Sequence, residues 1–273
     1  GDAIVLYAIQ DIIFFEAYDN YSFLYDLNGN RYEARVSFDL EDVALCDILS
    51  TPATPVTTPT DPESTAAAPV DLPAAIAGSG ATGSFELGGH VSQLDANAVA
   101  AMNRSGMRWV KEQVFPGAGG VQQGINRITN AHANGFKILL GVVVDRDALA
   151  ADATGYAQTY AAFVAQLAAA GADAIEVGNE PNIDREWPTG QVSGANYTAL
   201  LAVASNAIRT ANPNTMIISG APAPTGFFGA AGCGATGCND DVFMQQMAAA
   251  GAANYIDCVG IHYNEGVMPP TAF

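Results

Sequence analysis

The sequence predicts an α/β protein built from parallel β-α units, preceded by a small all-β domain and a linker. Three observations lead there. From residue 83 onward, short apolar runs alternate with amphipathic segments of helical length. A Thr/Pro-rich tract precedes them. Before that tract, residues 1–50 are rich in aromatic and β-branched side chains.

In residues 1–50, Asn28-Gly29 separates Phe23-Leu24-Tyr25 from Arg31-Tyr32-Glu33-Ala34-Arg35-Val36. Asn-Gly between two such runs is a strong hairpin signal, because both residues tolerate the positive φ of a type I′ turn. This small β-domain resembles the bacterial Src-homology-3-like modules that sit beside cell-envelope enzymes. That resemblance implies association with a cell wall or cell surface. Residues 51–82 open with Thr51-Pro52-Ala53-Thr54-Pro55 and continue in Pro, Thr, Ala, Gly and Ser. Such a tract cannot bury a core and holds an extended, semi-rigid form. Linkers of this composition are typical of secreted modular proteins.

The third region spans 83–273. Strands are expected at 84–89, 107–114, 137–144, 174–178, 216–220 and 257–262, with helices near 95–105, 120–134, 154–170, 194–211 and 239–250. Gly106, Gly135, Gly171 and Gly251 follow helical segments, where a left-handed C′ residue is needed. Asp95 and Asn239 are N-cap candidates. The runs Ile138-Leu139-Leu140-Gly141-Val142-Val143-Val144 and Met216-Ile217-Ile218 are apolar without alternation, as in strands covered on both faces. Six strands fit an open doubly wound sheet. A (β/α)₈ barrel needs about 250 residues, so a barrel reading expects two further β-α units beyond Phe273.

Composition narrows the partners. Net charge is -18 over 273 residues, with two lysines, Lys111 and Lys137, among ten basic residues. A chain this acidic is repelled by phosphate backbones and anionic membranes, which argues against nucleic acid. No apolar run approaches the ~20 residues of a membrane span. The chain starts at Gly1 without an initiator Met or a signal-peptide pattern, so a mature, processed or incomplete N-terminus is expected. Of the four cysteines, Cys233 and Cys238 share one Gly-rich loop. A local disulfide is favoured there over two free thiols or a zinc site, since no nearby Cys or His completes a zinc ligand set. A disulfide implies an oxidising, extracytoplasmic location.

Polar and aromatic residues gather at the expected C-terminal strand ends. Gly88-Gly89-His90 ends the first strand, Trp109-Val110-Lys111-Glu112-Gln113 occupies the second, and His262-Tyr263-Asn264-Glu265 ends the sixth. The fourth reads Ala174-Ile175-Glu176-Val177-Gly178-Asn179-Glu180-Pro181, with Trp187 in the loop beyond. Pro181 forbids continuation of the strand, which leaves an amide and a carboxylate at its tip. In a barrel of parallel strands, that tip is where catalytic groups sit. Each residue also has a plainer reading: His90 as a strand cap, Trp109 as packing, Lys111-Glu112 as an ion pair, Asn179-Glu180-Pro181 as a turn. His132 reads as a surface residue late in a polar helix.

Asn179-Glu180-Pro181 ending the fourth strand and His262-Tyr263 ending the sixth resemble the clan A glycoside hydrolases, over roughly residues 83–266. These are (β/α)₈ TIM-barrel retaining enzymes, including cellulase-like and β-xylosidase-like families. The resemblance implies Glu180 as general acid/base, Asn179 as ligand of a sugar 2-hydroxyl, and His262 and Tyr263 as supporting residues. Gly88–His90 and Trp109–Gln113 agree in placement, which adds His90, Lys111 and Gln113 as substrate-binding candidates. Trp187 is expected to offer a stacking face for a sugar. The clan's nucleophile is a Glu ending the seventh strand, and Glu265 does not match that position. The implied substrate is a β-linked glycan, with no cofactor and no metal. The alternative is a non-catalytic carbohydrate-binding or cell-surface structural protein on a glycosidase-like barrel.

Overall fold

The computed structural model describes residues 12–18, 21–26, 31–34, 43–46, 72–74, 86–229 and 231–262. The first three strands, β1 (Ile12–Tyr18), β2 (Tyr21–Asp26) and β3 (Arg31–Ala34), form an antiparallel sheet in chain order. Tyr25 pairs with Arg31 across the Asn28-Gly29 step, as the hairpin signal predicts. A fourth strand, β4 (Val43–Cys46), belongs to the second sheet.

That sheet carries β5 (Gly88–His90), β6 (Trp109–Val114), β7 (Lys137–Val142), β8 (Ala174–Val177), β9 (Met216–Ser219) and β10 (Cys258–Ile261). These six are parallel, and each pairs with its successor in the chain. Strand β4 closes the outer edge of β10 in the antiparallel sense. A doubly wound sheet must reverse its strand order at a switch point. Here the order runs straight from β5 to β10. Right-handed crossovers in one direction place every connecting helix on the same face. The result is a half-barrel, which removes the open doubly wound alternative.

The helices are α1 (Ala96–Arg104), α2 (Gly120–Ala133), α3 (Arg146–Ala151), α4 (Ala153–Ala169), α5 (Gly194–Ala211) and α6 (Asp240–Ala249). Asp95 caps α1 by accepting from the Ala98 amide at 2.8 Å. Asn239 precedes α6, but its side chain caps no amide of that helix; Oδ1 accepts from Phe228 N at 3.0 Å instead. Sequence reading also passed over α3, which Asp145 caps through the Asp147 and Ala148 amides. The four glycines expected after helices all take positive φ, between 71° and 96°.

Alternation along the strands separates two layers. Outward residues Ile138, Leu140, Val142, Ile175, Val177 and Ile217 are fully buried against the helices. Leu167 of α4 packs so closely on α2 that a Cβ at Gly124 would lie 2.4 Å from its Cδ2. Inward residues build the half-barrel's own floor: Ala174, Ile218 and Cys258 cluster with Trp109, Leu139 and Met216. At the base of the sheet, Asp173 accepts the Ile138 amide at 2.9 Å and meets His132 Nε2 at 2.7 Å. His132 is thus exposed, as expected, and also paired. Asp257 repeats the device, accepting the Ile217 amide at 2.8 Å while holding Arg209.

At the opposite, C-terminal end, two fully buried tyrosines fasten neighbouring strands. Tyr160 of α4 donates its hydroxyl to Val142 O at 2.7 Å and accepts from Gly178 N at 3.1 Å. Tyr197 of α5 does the same between Val177 O at 2.8 Å and Gly220 N at 2.6 Å. Burial pushes both hydroxyls well above the ordinary tyrosine range. Tyr197→Phe leaves Val177 O and Gly220 N without that bridge. It is expected to cost about 1–3 kcal/mol in denaturant unfolding, and a loss near zero would remove the fastening role.

Candidate active site

Beyond Val177 the chain leaves the sheet through Gly178, at φ 84°, and reaches Glu180 at φ 40°. Glu180 is the one non-glycine residue with positive φ among the described residues. That conformation costs an ordinary residue about 1–3 kcal/mol. Pro181 adds to the cost, because the residue before a proline is pushed toward extended backbone. Strain of this kind persists only where the surroundings dictate it.

Several contacts do so. The Glu180 amide donates to Ala221 O at 2.9 Å, and Ile183 N donates to Glu180 O at 3.2 Å. Fully buried Asn182 staples the loop after β8 to the loop after β9. Its Nδ2 donates to Ala223 O at 2.9 Å and Cys238 O at 3.1 Å, and its Oδ1 accepts from Ala223 N at 2.7 Å. Cys238 N donates back to Asn182 O at 2.8 Å. The Cys233–Cys238 disulfide is formed, as expected, and ties off this second loop. Ala221 is held in turn from inside the half-barrel, where its amide donates to Glu176 Oε1 at 3.1 Å. Glu176 Oε2 lies 2.7 Å from Lys111 Nζ, both side chains being buried. A Cβ at Gly141 would sit 3.3 Å from each partner of that pair, so glycine leaves it room.

The carboxylate of Glu180 lies in the mouth above this pair, with its side chain 8% exposed. Oε1 is 3.1 Å from His262 Nδ1, and Oε2 is ion-paired with Arg185. His262 is as enclosed as Glu180, whereas the Arg185 side chain is 68% exposed. The two oxygens therefore differ: one faces an enclosed ring, the other the guanidinium of an exposed side chain. Arg185 Nε also meets Glu186 Oε1 at 3.2 Å, giving it an alternative partner.

The structure brings together Glu180, Asn179, Gln113 and His262 from three regions of sequence. Gln113 Nε2 donates to Asn179 Oδ1 at 3.4 Å. Lys111 lies deeper, committed to Glu176 and not to Glu112, which faces the other way and pairs with Arg127. His90 is exposed at the end of β5, beside Lys111 in the ladder. Trp187 corrects an expectation. It is 2% exposed and packs edge-on against Tyr197 with centroids 5.9 Å apart, so its ring faces the core and offers no stacking surface. Trp109 lies at the start of β6, where its Nε1 donates to Glu86 and Lys137 covers its ring. Tyr263 and Glu265 lie outside the described residues.

Sequence reasoning missed five contributors. Glu176 was legible in principle as a carboxylate inside an apolar strand. Arg185 and Asn182 carried no signal beyond proximity to Glu180. Phe227, 75% exposed and stacked on Phe228, stands on the same end of the sheet in the loop after β9. Phe115, 57% exposed, follows β6 on that end as well. Among the described residues no group of three or more His, Cys, Asp or Glu side chains is placed to hold a metal ion. No helix among them is long and apolar enough to cross a membrane.

No family model matches the chain, and no curated protein matches it. Among solved structures it is similar to a fructose-bisphosphate aldolase from Slackia heliotrinireducens, at 20% identity and a TM-score of 0.35, over 59% of this chain and 46% of that one. It is also similar to the catalytic domain of a mannanase from Streptomyces sp. SirexAA-E, at 18% identity and a TM-score of 0.38, over 61% of this chain and 56% of that one. The chain spans about half the length of these structures. Two such different activities at this level of likeness assign neither to this chain.

Strain at Glu180 has a measurable sign. Glu180→Gly removes the Cβ that makes positive φ costly and is expected to raise unfolding stability by about 1 kcal/mol. A loss of stability on equilibrium denaturation would show that the backbone there is not strained.

Proposed function

We propose that this chain carries the acid/base half of a glycoside hydrolase site, acting on a β-linked glycan by retaining double displacement. The observation that carries the reading is Glu180: a carboxylate held in a strained backbone at the C-terminal tip of the fourth parallel strand, partly enclosed and ringed by hydrogen-bonding side chains. Strained, over-determined residues concentrate at functional sites. In a parallel barrel the C-terminal strand ends are where catalytic groups sit. A complete (β/α)₈ barrel, in which a seventh strand takes the edge of β10 that β4 covers here, is part of the proposal.

In this reading Glu180 Oε2, the oxygen on the exposed side, carries the proton to the glycosidic oxygen once Arg185 swings away. His262 stays on Oε1 and keeps the carboxyl oriented. After the leaving group departs, the same carboxylate takes a proton from the water that hydrolyses the glycosyl-enzyme. Asn179, oriented by Gln113, is the ligand for the sugar hydroxyl next to the reacting carbon. The attacking carboxylate must lie about 5–5.5 Å from Glu180, and we assign it to no described residue. Phe227 takes the stacking role that Trp187 cannot fill, since its ring is exposed in the loop after β9, at the same end of the sheet as Glu180. The disulfide fits export to an oxidising compartment or the cell surface.

Glu180→Gln keeps the shape of the side chain and removes its proton chemistry. Turnover of an unactivated β-glycan is expected to fall about 10³-fold, with a much smaller loss on an aryl glycoside whose leaving group needs no acid. Equal losses on both substrates, or none, would overturn the assignment. Binding without hydrolysis by the unaltered protein would favour the non-catalytic alternative. Phe227→Ala tests the rim: KM is expected to rise about fivefold to tenfold, with kcat and thermal stability unchanged. An unchanged KM would exclude Phe227 from the substrate path.

A further inference from the structure

The outward face of β6 reads Val110, Glu112, Val114. The two valines are fully buried, and Glu112 between them is 2% exposed. A strand face covered by a helix is ordinarily apolar, because burying a carboxylate costs free energy unless it is paired. Glu112 Oε2 lies 3.2 Å from Arg127, whose guanidinium also donates to Gln113 O. Burial still dominates and pushes the Glu112 carboxyl above its ordinary range, against the Arg127 charge.

Arg127 belongs to a stripe on α2 formed by Gln123, Asn126, Arg127 and Asn130. Their spacing puts all four on one helix face. Instead of sealing the helix onto the sheet, this face borders a cleft of about 340 Å³ with Glu112 in its lining. Ser92 and Gln93, from the loop after β5, close the other side. That volume falls within the range of small-ligand sites, about 300–1,000 Å³.

We propose that this cleft binds a neutral polyhydroxylated molecule, one monosaccharide unit in size, at a site separate from Glu180. Three features choose the ligand. The single carboxylate and single guanidinium of the lining cancel, so the site favours no charge. No aromatic ring lines it, so a nucleobase or other aromatic ligand finds no stacking platform and a sugar would be held through its hydroxyls alone. The side chains of Ser92, Gln93 and Gln123 make no hydrogen bond within the protein among the described residues, while Asn130 and Arg127 are held in place by Leu94 O and Glu112. Carboxamides present a donor and an acceptor together, and adjacent sugar hydroxyls demand that pairing. The cleft lies behind β6 as seen from the candidate active site, since Gln113 points to Asn179 and Glu112 points away. The inference therefore stands without the glycosidase reading.

The test is titration of the nitrogen-15-labelled protein with D-glucose, D-mannose and D-xylose separately, followed through side-chain amide and Arg127 guanidinium signals. At least one sugar is expected to give saturable shifts at Gln93, Gln123, Asn126 and Arg127, and these persist in Glu180→Gln. Gln93→Ala combined with Gln123→Ala removes two exposed side chains that hold nothing else. It is expected to weaken the binding at least about tenfold without lowering stability. Absence of saturable shifts with all three sugars overturns the proposal, as does binding indifferent to the double variant. Shifts confined to Asn179 and His262, and lost in Glu180→Gln, overturn the cleft while leaving the acid/base assignment intact.

Discussion

The left-handed backbone at Glu180 is the constraint on which the surrounding architecture converges. A glutamate before a proline resists that conformation twice, once through its own Cβ and once through the proline ring. The protein holds it by fixing both ends of the turn. Tyr160 pins the amide of Gly178, Asn182 pins the far side, and Ala221 accepts the Glu180 amide directly. None of these groups touches the carboxylate. Their common effect is to aim it out of the strand and into the mouth of the half-barrel.

Beneath it the interior is ordered by polarity. Apolar Trp109, Leu139, Ala174, Met216, Ile218 and Cys258 fill the base, the Lys111–Glu176 pair sits above them, and Gln113, Asn179, Glu180 and His262 stand at the top. A buried ion pair is poor evidence for stability, since desolvation offsets much of the attraction. Its use here is positional. Glu176 holds the Ala221 amide, and Ala221 holds Glu180, so a charge pair in the wall fixes the backbone of the strained glutamate.

Much of this was legible in the residues. Parallel β-α units followed from the alternation of apolar and amphipathic runs, and the Asn179-Glu180-Pro181 tip followed from a strand that a proline ends. The disulfide followed from two cysteines in one glycine-rich loop. What escaped depends on contacts between distant segments. The ring of Trp187 has the same composition whether it faces substrate or core, and only the packing of Tyr197 against it decides. Asn182 reads as one more polar loop residue until Ala223 and Cys238 surround it. Asn239 looks like an N-cap because the local pattern is right, yet the Phe228 amide claims its side chain. The choice between an open sheet and a half-barrel also lay beyond local patterning, because it depends on which strands pair.

The strand order carries a consequence for how the molecule forms. Each parallel strand pairs with the one made just before it, so the sheet from β5 to β10 can grow stepwise as the polypeptide emerges, each unit docking on a finished neighbour. Strand β4 is the exception. It is synthesised ahead of the whole half-barrel but pairs with its last strand, with Cys46 opposite Cys258. Closing so long a loop gives contacts of high sequence separation, which form late. The segment made early must therefore wait for β10, so this antiparallel pairing forms after the parallel strands from β5 to β9 are in place.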